Sequence, residues 1–182
     1  MADNTLDRFI AHTRRAWGPL TTELVGACRR NLEELTRAPS GESWLAPLLE
    51  EGPAWRELHR DPTHGFMLLA HTEHAGLYRP PHDHGRAWVV YALQHGEMLI
   101  STYVRIEQTD GSVRLVKRDE TLLRAGESRA YLPGDIHDTR CLSPSALLLR
   151  FTERDLKRED LVERRLARYV ERDGAWIPGV AA

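Results

Sequence analysis

The chain has 182 residues, 41% apolar and 29% charged, and its 25 Lys and Arg against 27 Asp and Glu leave a net charge of −2. This composition suits a globular protein with one sizeable core, and the balanced charge argues against a nucleic-acid or anionic-membrane partner. No apolar run approaches the roughly 18 residues of a membrane span, and Met1-Ala2-Asp3-Asn4 lacks the basic-then-apolar order of a leader, so the reducing cytoplasm is the expected compartment. Cys28 and Cys141 are too few and too far apart for a disulfide framework.

Residues 5 to about 37 read as helical. Leu6, Phe9, Ile10, Ala16 and Trp17 recur at helical spacing, Gly18-Pro19 breaks the run, and Leu20, Leu24, Ala27, Leu32 and Leu35 resume it. A second short helix is expected over Trp44 to Glu50, ended by Gly52-Pro53. From Trp55 the pattern changes to short apolar or alternating runs: Phe66–Ala70, Trp88–Leu93, Met98–Arg105, Val113–Lys117, Ser128–Leu132 and Ala146–Phe151. Turn residues separate them, Asp110-Gly111 giving the strongest hairpin signal. Strands at such spacing with no helices between them indicate an all-β sandwich or barrel. After Asp155, Leu161, Leu166 and Tyr169 suit one helical face, while Asp173-Gly174 before Trp176 equally suits a small hairpin. The expected organisation is one domain: a helical segment over 1–54, a barrel over 55–156 and a charged extension over 157–182.

Pro80-Pro81-His82-Asp83-His84-Gly85 carries the chemistry, together with Leu132-Pro133-Gly134-Asp135-Ile136-His137 some fifty residues later. His-x-His on a strand sends both imidazoles to one face, because side chains alternate with period 2. His137, delivered by a distant strand behind a Pro-Gly turn, completes one face of a coordination sphere. Three neutral imidazoles leave a divalent metal its full charge and open positions for substrate and oxygen. Asp83 points the other way and is assigned a supporting role. His95 reads as a turn residue, His74 as exposed, and Tyr91 as core. No GxGxxG, P-loop, GxSxG or CxxC supports a nucleotide or serine-hydrolase reading.

Gly76, His82, His84 and Gly96, with Gly126, Gly134 and His137, resemble the two motifs of the cupin superfamily over roughly residues 55 to 156. The resemblance implies a mainly β double-stranded β-helix, or jelly-roll barrel, with the N-terminal α-helices packed on it. Pro133 sits one place late, and Cys141 stands where an asparagine is usual. The usual glutamate ligand falls at Val89 or Trp88, neither of which binds metal. A three-histidine site without a carboxylate resembles the cysteine dioxygenase-like branch, and Asp61-Pro62-x-His64-Gly65-Phe66 points to a bacterial group of metal-dependent cupins related to it. That branch implies an arginine on the preceding strand as substrate anchor, a place matched by Arg56. Its Ser-x-His-x-Tyr relay is replaced here by Leu148-Leu149-Arg150-Phe151-Thr152. With Leu148, Arg150 and Thr152 facing inward, the pocket gains a guanidinium suited to a carboxylate.

The expected function is therefore that of a non-haem Fe(II) dioxygenase. His82, His84 and His137 hold the metal, while Arg150 and Arg56 orient a small anionic substrate, a sulfur-containing acid by resemblance, for reaction with O₂. Ni, Cu and Zn suit the same ligands. The alternatives are a metal-dependent isomerase or lyase, and a non-catalytic cupin that binds metal or a small acid. The reading leaves room for a homodimer.

Overall fold

The computed structural model describes residues 4–179. Met1, Ala2 and Asp3, read above for a leader, and the last three residues of the extension lie outside them. Helix α1 (Thr5–Ala16) begins at Asn4, whose side chain accepts the Asp7 amide at 2.8 Å. Helix α2 (Thr22–Thr36) is capped by Thr21, and α3 (Ala46–Glu51) completes the helical layer. The break between α1 and α2 falls at Gly18-Pro19, as the sequence predicts.

Eleven strands follow among the described residues: β1 (Arg56–Arg60), β2 (Met67–His74), β3 (Tyr78–His82), β4 (Val89–His95), β5 (Glu97–Glu107), β6 (Val113–Arg124), β7 (Ser128–Tyr131), β8 (Ile136–Cys141), β9 (Ser145–Thr152), β10 (Tyr169–Arg172) and β11 (Ala175–Pro178). They form a five-stranded sheet in the order β1-β2-β9-β4-β7 and a six-stranded sheet in the order β10-β11-β6-β5-β8-β3. From β2 to β9 the chain passes back and forth between the two sheets, except at the β5–β6 hairpin, which stays in the six-stranded one. This is the expected mainly β double-stranded β-helix with N-terminal helices.

Alternation along the strands sorts the core. Leu68, Ala70, Trp88, Val90, Ala92, Leu147, Leu149 and Phe151 face outward from the five-stranded sheet onto Phe9, Leu24, Cys28, Leu32 and Leu35 of the helices. Val89, Tyr91, Leu93, Ala146 and Leu148 face the other way, toward Met98, Ile100 and Cys141 of the opposite sheet. Fully burying a side chain such as Leu32 stabilises the fold by about 1.5–3 kcal/mol. Both cysteines are free and buried, and burial pushes the Cys28 thiol up to about 12. No helix among the described residues is long and apolar enough to cross a membrane.

The structure corrects the sequence reading in three places. Strand β6 continues to Arg124, beyond the expected Lys117, because it pairs with β5 along its whole length. Residues 161–169 do not form one helical face: a single π-helical turn (Arg158–Val162) gives way to extended chain, and Leu161 is 73% exposed while Tyr169 is buried. The hairpin β10–β11 forms instead, since Asp173 and Gly174 both take positive φ (49° and 75°), the twist a two-residue hairpin turn requires. Finally, β3 stops at His82, so His84 lies beyond the strand.

Candidate metal centre

His82 ends edge strand β3 and pairs across the sheet with His137 of β8. His84 reaches the same place by a turn. The Asp83 carboxylate accepts the Gly85 amide at 3.0 Å, and Gly85 takes φ +61°. A Cβ on Gly85 would lie 2.9 Å from Arg165 Cβ, so glycine also admits the C-terminal segment. Asp83 has the supporting role expected of it: Oδ1 also accepts the Ala167 amide at 2.8 Å, tying that segment across the barrel mouth.

The three imidazoles converge. One ligand atom from each of His82, His84 and His137 lies within 4.8 Å of the others, and the ring centroids are 4.9–5.3 Å apart. His82 Nδ1 donates to the Pro80 carbonyl at 2.8 Å, which leaves Nε2 a lone pair for a metal. Burial, the largest cause for each, lowers His82 and holds His84 and His137 well below the usual histidine range. They are neutral donors at pH 7, as metal ligation needs. Tyr131 stacks on His137 at 4.0 Å between centroids. The donor set fits a divalent metal, and among the described residues no carboxylate joins the cluster. Trp88 packs under the helices, and inward-facing Val89 has no ligating atom.

Beside the histidines opens a cavity of about 450 Å³. Arg150 of β9 lines it, on the inward face with Leu148, while Leu149 and Phe151 face the helices. Its Nε is buried without a partner, and burial pulls the guanidinium down from the ordinary arginine range. Arg79, Lys157 and Arg168 also line the cavity, against Glu73 and Asp160. Arg79 pairs with Glu73 at 2.8 Å and Arg168 with Asp160 at 2.5 Å, which leaves Arg150 and Lys157 as excess positive charge.

Arg56 is not brought to the site. Its guanidinium pairs with Glu51 at 2.5 Å, outside the cavity. The register explains why: Arg56 opposes Ala70, which faces the helices, whereas Glu57 opposes inward-facing Leu69. A shift of one residue along a strand exchanges the two faces.

Three residues of the site escaped the sequence reading. Tyr91, taken as core, is buried with its hydroxyl 3.1 Å from His84 Nε2, and it also interacts with Arg150. His71 and Glu73 stand two apart on β2 and both line the cavity. Phase was the available signal, since Tyr91 shares a face with Val89, and His71 with Glu73. His74 is exposed, as expected.

No protein-family model matches the chain, and no curated protein matches it. Among solved structures, it is similar to an oxalate oxidase in complex with the substrate analogue glycolate (18% identity, TM-score 0.43, covering 56% of this chain and 51% of that one). It is also similar to KdgF from Halomonas sp. (17% identity, TM-score 0.43, covering 56% and 78%). A third similar structure is the Schizosaccharomyces pombe Cnp3 cupin domain (9% identity, TM-score 0.44, covering 59% and 69%). The chain thus spans about half the length of the oxalate oxidase it matches. Scores at this level carry no argument about activity, which rests on the residues themselves.

Proposed function

We propose that the protein is a mononuclear metal enzyme of the three-histidine cupin type, related to the cysteine dioxygenase-like branch. In this reading it is an Fe(II)-dependent dioxygenase of a small acid. One observation carries it: the buried, unpartnered Arg150 Nε lies on the same cavity as His82 and His84, and His137 converges with those two behind it. His82, His84 and His137 hold the metal, which supplies Lewis acidity and, as Fe(II), activation of O₂.

The chain's own residues do the rest. Arg150 receives the acid group, because two like charges in one cavity repel until an anion bridges them. Tyr91 places a hydroxyl over the metal ligands, where it orients whatever occupies the open positions. Residues 156–168 close the mouth, pinned by Asp83 and by buried Glu159, which accepts from Arg86 at 3.0 Å and from Arg154 at 3.2 Å. They narrow the access of bulk water to the reacting centre.

The test is metal analysis of anaerobically purified protein, then oxygen-uptake screening against small thiols and carboxylic acids. Bound iron with acid-dependent O₂ consumption is expected. Turnover without O₂ would identify a metal-dependent isomerase or lyase, and tight binding without consumption a non-catalytic acid-binding protein. Either result overturns the dioxygenase.

A further inference from the structure

The cavity wall that carries Arg150 also holds acceptors with nothing to accept. Glu73 is 1% exposed, and Arg79 occupies only its Oε1, at 2.8 Å, while Oε2 is buried with no partner. His71 Nε2 is likewise buried and unpartnered. Burial, aided by Arg150 and Arg79, pushes this ring down to about 3, and it already bonds the Ala54 backbone. A neutral imidazole that donates to a carbonyl through one nitrogen presents the other as an acceptor. Register places His71 beside the acid anchor, with Glu73 next along the same face. His71 opposes Leu148 and Leu69 opposes Arg150 across β2 and β9, so His71 is the diagonal neighbour of Arg150 on the inward face.

One wall therefore carries a strong donor, Arg150, and two acceptors, Glu73 and His71. An acid with a plain hydrocarbon tail would satisfy the first and leave the others buried and unpaired, which is costly, most of all for a carboxylate. We infer that the substrate is an acid that also bears a hydrogen-bond donor, a hydroxyl or an ammonium group, and that Glu73 and His71 receive it. The inference rests on the acid-binding reading above and names the substrate class within it.

Calorimetric titration of the metal-loaded protein with matched two- to five-carbon monocarboxylic acids tests it, each length unsubstituted, hydroxy-substituted and amino-substituted. At one or more lengths a donor-bearing acid is expected to bind at least about tenfold tighter than its plain counterpart, the worth of a hydrogen bond to a charged acceptor. Glu73→Gln, which exchanges the free acceptor for an amide yet keeps an oxygen for Arg79, is expected to bring that ratio to within about twofold. His71→Phe is expected to do the same in part and serves if the first variant does not fold. The hydroxy and amino arms identify the donor. A preference that survives both variants belongs to the metal and overturns the inference. Equal binding at every length, with Arg150→Met still weakening all acids, overturns the inference and leaves the acid pocket standing. If Arg150→Met changes nothing, both fail.

Discussion

The Tyr91 hydroxyl lies 3.1 Å from His84 Nε2 and 3.5 Å from His137 Nε2. Across β4 and β9, Tyr91 pairs with Arg150, so the hydroxyl and the guanidinium share one stretch of the inward face. Tyr91→Phe is expected to leave metal content unchanged and to lower kcat at least tenfold, roughly the least that loss of a positioned donor costs. Elemental analysis beside steady-state kinetics checks it, and an unchanged kcat would remove Tyr91 from the site.

Arg150→Met should raise KM for an acidic substrate about 10- to 100-fold, since a hydrogen bond to a charged group contributes about 1.5–3 kcal/mol. Metal content should not change. Arg150→Lys should recover only part of the loss, because an ammonium lacks the planar fork. Equal KM values for acids and their amides in the native protein would count against the anchor.

Alanine at His82, His84 or His137 should each weaken metal binding by at least about 100-fold, beyond the effect of losing a merely supporting group. The metal-free variants should still unfold cooperatively. His137→Ala should be the least stable of the three, since it removes a fully buried ring stacked on Tyr131. A variant that retains full metal in competition with a chelator would exclude that residue as a ligand.

Acid should destabilise the metal-free protein. His71 is lowered from 6.5 to about 3, and His82, His84 and His137 are lowered as well, all chiefly by burial. Between the folded and unfolded values the unfolded chain binds more protons, so stability is full above about pH 6.5 and falls as pH drops toward 3. Each such histidine contributes at most about 1.4 kcal/mol per pH unit. Urea midpoints from pH 7.5 to pH 4.5 measure the slope, and His71→Phe should flatten it. A flat profile would show these rings protonated in the fold.

Gly96 joins β4 to β5 with φ +86°, and a Cβ there would lie 2.5 Å from both Ala146 Cβ and the Ser145 carbonyl oxygen. Gly96→Ala should cost about 3 kcal/mol or more and lower Tm by roughly 6–12 °C. Calorimetry decides, and a Tm within about 2 °C of the native value would mean the turn relaxes freely.

The helices, six of the strands and the pairing of His82, His84 and His137 were legible in the chain because each leaves a local signal. Helical periodicity marks α1 and α2, a short apolar run marks β9, and a His-x-His motif with a distant Pro-Gly-Asp-Ile-His segment marks the centre. Strand β8 was expected only as the carrier of His137 behind its Pro-Gly turn, with no alternation of its own. Its inward residues His137 and Thr139 are polar because they serve the site, and outward Asp138 and Arg140 are polar too, so no apolar alternation remains to be read. Strand β3 hid behind Pro80 and Pro81, which an edge strand tolerates because its outer side needs no ladder donors.

What the sequence by itself determined is which histidines come together, from two motifs some fifty residues apart, and that Arg150 shares a face with Leu148 and Thr152, from spacing along one segment. Only the tertiary structure decided that Arg56 is out of phase with the cavity, that Tyr91 brings its hydroxyl to the histidines, and that Glu73 Oε2 and His71 Nε2 lie unpartnered on the cavity wall that carries Arg150. Those facts depend on register between strands far apart in the chain, where a shift of one residue turns every side chain to the opposite face.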